Sequence, residues 1–266
     1  MRKAMLLSCF IILGLIVDAL PSQAQEVDLG KYSDFTPFQE KWLITEPNDP
    51  SMDWLVSYGG RLYDKWYGIL DRWVPSDTHP SYPKEGKKKG ADTWRCKECH
   101  GWDYKGKDGV YGDPKSSHYT GIKGIKGFAG KNPRDVIKIL RDDTHQYDRR
   151  TLPKFAAERL ALFVTKGQID TSDLIGADKK VKGDADKGRN IFQNLCAVCH
   201  GFNGKSINFG SPTKPEYIGT VAVDNPWEMF HKAVNGQPGS VMPSQRWVPL
   251  EFLTHLISYA QTLPTK

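Results

Sequence analysis

Three observations predict an all-α fold built as two tandem units. The motif C-x-x-C-H occurs twice, as Cys96-Lys-Glu-Cys99-His100 and Cys196-Ala-Val-Cys199-His200. Each copy is followed by the same two helix starts: an Asn-Pro pair (Asn132-Pro133, Asn225-Pro226) and then a proline-led apolar segment (from Pro153 and from Pro249). Within these segments the apolar residues recur at helical spacing rather than in alternation.

Taken in order, Arg2 and Lys3 precede an apolar run from Leu6 to Val17 and the small-residue stretch Ser22-Gln23-Ala24. This pattern predicts a secretory signal peptide over residues 1–24, cleaved after Ala24, and hence an exported, periplasmic protein with no membrane span in the mature form. Cys9 lies inside the apolar run, so cleavage leaves four cysteines, all in the two motifs. Residues 25–170 read as a first domain, 171–183 as a linker and 184–266 as a second domain. In the first, Ser51 to Leu70 has helical periodicity, and Gly59 and Tyr63 stand at the same spacing as Gly188 and Phe192. About two dozen residues rich in Pro, Gly and Lys, around Val74 to Thr93, then separate this helix from Cys96 and read as an insertion. Gly121, Gly124, Gly127 and Gly130 mark a loop where backbone passes close to a bound group, and the helix from Pro153 turns Leu160, Phe163 and Val164 inward. In the second domain a helix from Asp186 is expected to turn Ile191, Leu195 and Val198 to one face. A helix capped by Asn225 follows, then Ser240-Val241-Met242-Pro243, and a last helix buries Leu253, Leu256, Ile257 and Ala260.

Two thiols one helical turn apart can add to the two vinyl groups of a single porphyrin, and the adjoining histidine can then bind the iron. A bare C-x-x-C also suits a redox dithiol or half a zinc site. Here each pair carries its own histidine, so Cys96, Cys99, Cys196 and Cys199 are expected to attach two haem c groups, with His100 and His200 on their irons. No P-loop, H-E-x-x-H or Ser-His-Asp pattern is present, and no catalytic residue is expected.

The second half resembles a class I cytochrome c: an entry helix running into C-x-x-C-H, and a Met-Pro loop between two later helices. The resemblance implies that Met242 completes the second iron. Laying the first half over the second puts His145 where Met242 stands; they lie 45 and 42 residues beyond His100 and His200 respectively. By position His145 is therefore the sixth ligand of haem 1. His118 is the alternative, with His79 and Met52 further candidates. On their own merits His79 reads as an exposed loop residue beside Pro80, and Met52 as part of an apolar helix face with Leu55 and Val56. His231 and His255 read as core or surface residues. As a whole the chain resembles the tandem, di-haem class I cytochromes c of the c4 type, which carry methionine on both irons and lack the long N-terminal insertion. The resemblance implies electron transfer between redox proteins. The alternatives are a peroxidase-like enzyme with an open first iron, or a haem subunit of a larger oxidoreductase.

Charge adds one expectation. The chain has 37 basic and 31 acidic residues, a formal net charge of +6. Ionised haem propionates offset most of that, so nucleic-acid binding is not implied. Residues 84–154 alone hold 18 basic and 10 acidic side chains. Such a region suits docking of an acidic redox partner, or is simply a set of solvated loops.

Overall fold

The computed structural model describes residues 46–70, 73–84 and 86–266, and these contain helices and loops with only isolated β-bridges. The signal-peptide segment lies outside the described residues. Among the described residues no helix is long and apolar enough to cross a membrane.

Helix α1 (Met52–Lys65) starts where the Ser51 hydroxyl accepts a hydrogen bond from the Trp54 amide, 3.2 Å away, with Asp53 in the first turn. One face carries Val56, Gly59, Leu62 and Tyr63, all buried. Past the insertion, α2 (Cys96–His100) carries the first C-x-x-C-H motif. Helix α3 (Pro133–Leu140) has Asn132 as its cap, and α4 (Lys154–Leu162) continues into a π-helical turn over Phe163–Gly167. Leu160, Phe163 and Val164 are buried as expected. In the second half, α5 (Ala185–Ile191) is capped by Asp184 and joins α6 (Ala197–His200) through a π-helical turn, Phe192–Cys196. Helices α7 (Ile218–Asp224), α8 (Pro226–Asn235) and α9 (Leu250–Ala260) complete the chain.

The two halves repeat one crossing. Helix α1 lies on α4 and α5 lies on α9. At each crossing a glycine meets the partner's backbone: a Cβ on Gly59 would overlap the carbonyl oxygen of Arg159, and one on Gly188 that of His255. Arg159 and His255 each stand six residues past the proline that opens their helix. The turns that carry the two C-x-x-C-H motifs repeat as well. Gly101 and Gly201 both end their helix at positive φ (78° and 74°), a conformation that costs glycine little. The amides of Gly106 and Ser206 close the following loops onto the carbonyls of His100 and His200 at 2.9 and 3.0 Å.

One expected face is split, with Ile191 packed against the core and the next two residues of the stripe turned away from it. Leu195 is 40% and Val198 78% exposed, while Gly188, Phe192 and Ala197 point inward. The π-helical turn at Phe192–Cys196 accommodates an extra residue and shifts the phase of the stripe. The 171–183 stretch is folded rather than a free tether: Thr171, Ile175 and Val181 are buried, and the Val181 amide donates to the Gln261 side chain at 3.0 Å.

The halves meet along α1 and α8. His231 of α8 is 1% exposed; its Nε2–H donates to the Gly60 carbonyl (2.9 Å), so the neutral ring's Nδ1 accepts from the Tyr104 hydroxyl (2.9 Å). Buried Asp64 pairs with Arg95 at 2.5 Å and with Lys232 at 2.7 Å. Burial alone would raise the Asp64 carboxyl, but the two cations hold it at about 2.

Candidate functional site

Cys96, Cys99 and His100 of α2 open onto one apolar cavity in the first half. Leu140, Leu160 and Val164 line its walls, and Ile122 to Ile125 of the glycine-rich loop border it. The loop approaches closely because Gly124 has no side chain; a Cβ there would overlap the Tyr104 carbonyl. The Lys123 carbonyl accepts a hydrogen bond from His100 Nδ1 at 2.7 Å. That bond places the proton of the neutral imidazole on Nδ1 and leaves Nε2 with its lone pair free for a metal. Burial holds the His100 imidazole neutral down to about pH 4, against the opposing pull of the Lys123 carbonyl.

His145 lines the same cavity. Its ring lies nearly parallel to that of His100, with centroids 6.2 Å apart and planes inclined by 23°. Two metal–imidazole bonds of about 2 Å each, plus the half-width of each ring, span about 6 Å. The cavity therefore offers two attachment thiols, an apolar lining and two histidines spaced for one metal between them, and these fit a haem. Asp142 shapes the turn carrying His145, its carboxylate accepting from the amides of Thr144 (3.0 Å) and His145 (2.8 Å).

The other candidates fall elsewhere. His118 stacks on Tyr111 with centroids 4.9 Å apart and lies 3.7 Å from the Glu98 carboxylate, away from the cavity lining. Burial would raise Glu98, but His118 and Lys97 hold it at about 2. Met52 is 51% exposed at the start of α1, not the core residue expected from its apolar neighbours. His79 also departs from expectation: it is 8% exposed, packed on Trp94, and borders the cavity. A proline neighbour signals a turn in sequence but says nothing of what covers the turn.

The second motif is arranged differently. His200 is buried with Nδ1 lacking a hydrogen-bond partner, Cys196 is half-buried and Cys199 exposed. Around it Leu195, Val198, Phe202 and Phe209 are exposed. An unpartnered imidazole beside two thiols and a bare apolar surface fits a group that would cover them. Met242 sits between α8 and α9, lining a cleft with Trp54, Tyr58 and Arg61 of α1, and shares no described cavity with His200. His255 is structural, its Nδ1 accepting from the Asp184 amide at 2.9 Å.

Sequence reasoning missed the hydrogen-bonded supports of these histidines, such as the Lys123 carbonyl. A backbone acceptor leaves no signature in side-chain identity.

Comparison with known proteins identifies relatives of part of the chain. Residues 183–259 match the family described as cytochrome C oxidase, cbb3-type, subunit III. Over 83 residues the chain is 36% identical to a cytochrome c-553-like protein of Synechocystis sp. (strain ATCC 27184 / PCC 6803 / Kazusa), covering 31% of this chain and 72% of that protein. With two thiol–histidine motifs on helical turns and this relationship, the chain belongs to the cytochrome c family, whose covalently bound haem c serves electron transfer.

Proposed function

We propose that the protein is an exported di-haem c-type cytochrome, built of two tandem class I domains, that passes electrons between redox proteins. The observation that carries this reading is the pair His100 and His145, their ring centroids 6.2 Å apart in the cavity that the Cys96 and Cys99 thiols enter. Cys96 and Cys99 would hold haem 1, with His100 and His145 on its two sides. Cys196 and Cys199 would hold haem 2 with His200 on its iron; Met242, which lies in a separate cleft, is its second ligand on the strength of the Met-Pro resemblance alone. The repeated Gly59–Arg159 and Gly188–His255 crossings support two domains of one plan.

The haem supplies reversible one-electron chemistry at iron. The chain's own residues decide how it is used. Filling both sides of haem 1 with imidazole leaves no position there for a substrate, which favours transfer over catalysis. A thioether favours ferrous iron more than a second imidazole does, so the Met242 site would take the higher potential and the His145 site the lower. The lysines of residues 84–154 would face an acidic partner near haem 1.

Mass spectrometry of the holoprotein counts the haems. Low-temperature EPR of the ferric protein then tests the ligands: one bis-histidine and one His/Met low-spin signal support the proposal. A single haem, or a high-spin signal from haem 1 that takes up cyanide at once, overturns it and points to the enzyme reading.

A second reading, a haem subunit of a larger oxidoreductase, draws on the matched family, whose description names an oxidase subunit. Co-elution with a partner enzyme on gentle purification would favour it over a free carrier.

A further inference from the structure

We propose that the segment inserted between α1 and the first attachment turn is a brace that holds His145 in place, with His79 and Ser81 as the positioning residues. The inference rests on the reading of His145 as the sixth ligand of haem 1.

The geometry is specific. The backbone amide of Ser81 can only donate, and it points at His79 Nδ1 from 3.1 Å. In a neutral ring the proton is then on Nε2, and that N–H donates to the carbonyl of His145 at 2.8 Å. The Ser81 hydroxyl donates to the carbonyl of Thr144 at 2.6 Å. Two consecutive carbonyls of the ligand loop are thus fastened to one turn of the insertion.

That turn is itself anchored. The His79 amide donates to the Thr93 hydroxyl (2.8 Å), which donates on to the Gly90 carbonyl (2.6 Å). The His79 ring packs on Trp94, with centroids 4.3 Å apart, and the Trp94 indole N–H donates to the Asp77 carbonyl at 2.9 Å. The Trp94 carbonyl accepts from Trp66 just beyond α1 (2.9 Å) and from the Tyr147 hydroxyl (2.5 Å), two residues past His145. Held this way, the loop resists the movement that would take His145 off the metal. In the second half the chain passes from α5 to Cys196 through a single π-helical turn, with no room for such a segment. The insertion therefore distinguishes the two sites by the kinetic hold on the sixth ligand.

The test is the rate at which cyanide abolishes the bis-histidine EPR signal of the ferric holoprotein, a signal that haem 1 alone would give. Losing one hydrogen bond raises the population of a detached state about two- to tenfold. His79→Ala and Ser81→Ala are each expected to speed cyanide uptake by that factor, and the double variant by more. His79→Gln, which can still donate to the His145 carbonyl, is expected to return the rate toward wild type. Ser81 is exposed, so Ser81→Ala keeps the test available if His79→Ala fails to fold. Unchanged rates in both single variants, in a protein where His145→Ala does open haem 1, would overturn the brace and leave the ligand standing. If His145→Ala leaves the haem 1 spectrum unaltered, the ligand assignment itself is wrong and the brace falls with it.

Discussion

Lowering the pH from 7.5 to 5 should cost the folded protein about 2 kcal/mol through one residue, His231. This imidazole is 1% exposed in the seam between the halves, donating from Nε2 to Gly60 and accepting at Nδ1 from Tyr104. Burial lowers its pKa from 6.5 to about 4, outweighing the pull of Asp64. The unfolded chain therefore binds a proton that the folded chain refuses between those two values, and stability must fall as pH drops through this window. A separation of about 2.5 pKa units amounts to roughly 3.4 kcal/mol when fully developed, of which about 2 kcal/mol is reached by pH 5. The assay is urea unfolding followed by near-ultraviolet circular dichroism across pH 7.5 to 5, on wild type and His231→Gln. Glutamine offers the same donor and acceptor but does not titrate, and subtracting the two curves removes the other histidines. The wild-type curve should fall about 2 kcal/mol further than that of the variant. Parallel curves would refute the argument, since the seam would then accept a charged ring or lie open to water.

Three further outcomes can be measured. Asp64 has the opposite sign: its carboxyl is depressed from 3.8 to about 2, so its contribution is full above pH 4 and is lost as pH falls toward 2. Asp64→Asn should cost about 1.5–3 kcal/mol near pH 7, because it removes the buried carboxylate that the half-buried Arg95 and Lys232 share, and the gap to wild type should narrow in acid. Gly59→Ala and Gly188→Ala should each destabilise by about 1–3 kcal/mol, read in urea melts, since the new methyl meets a backbone carbonyl that cannot move aside cheaply. Met242→Ala should turn haem 2 high-spin and lower its potential in a redox titration; an unchanged potential would remove Met242 from the ligand set.

What was legible in the sequence is what covalent chemistry and local spacing impose. Cys96, Cys99 and His100 must lie on one helical turn to serve one porphyrin, and the same holds for the second motif, so cofactor type could be read without a fold. The caps Asn132 and Asn225 and the inward stripes from Pro153 and Pro249 were legible for a similar reason, since each is set within a few residues of chain. The stripe at Ile191, Leu195 and Val198 was legible only in part: Ile191 packs on the core, but the π-helical turn that follows changes the period without changing composition and sets Leu195 and Val198 on the apolar surface beside the second motif.

Only the tertiary structure decided the rest. It brought His145, which position in the sequence already favoured over His118, into one cavity with His100, and drew His79 from an expected solvent-facing turn into the wall of the same cavity. It also made His231 a buried link between the halves. In each case the deciding partner is a backbone carbonyl or a ring distant in the chain: the Lys123 carbonyl for His100, the His145 carbonyl for His79, the Gly60 carbonyl and the Tyr104 hydroxyl for His231. A carbonyl is the same in every residue, so which one a histidine meets is set by how the helices cross, and the spacing of side chains along the chain does not record it.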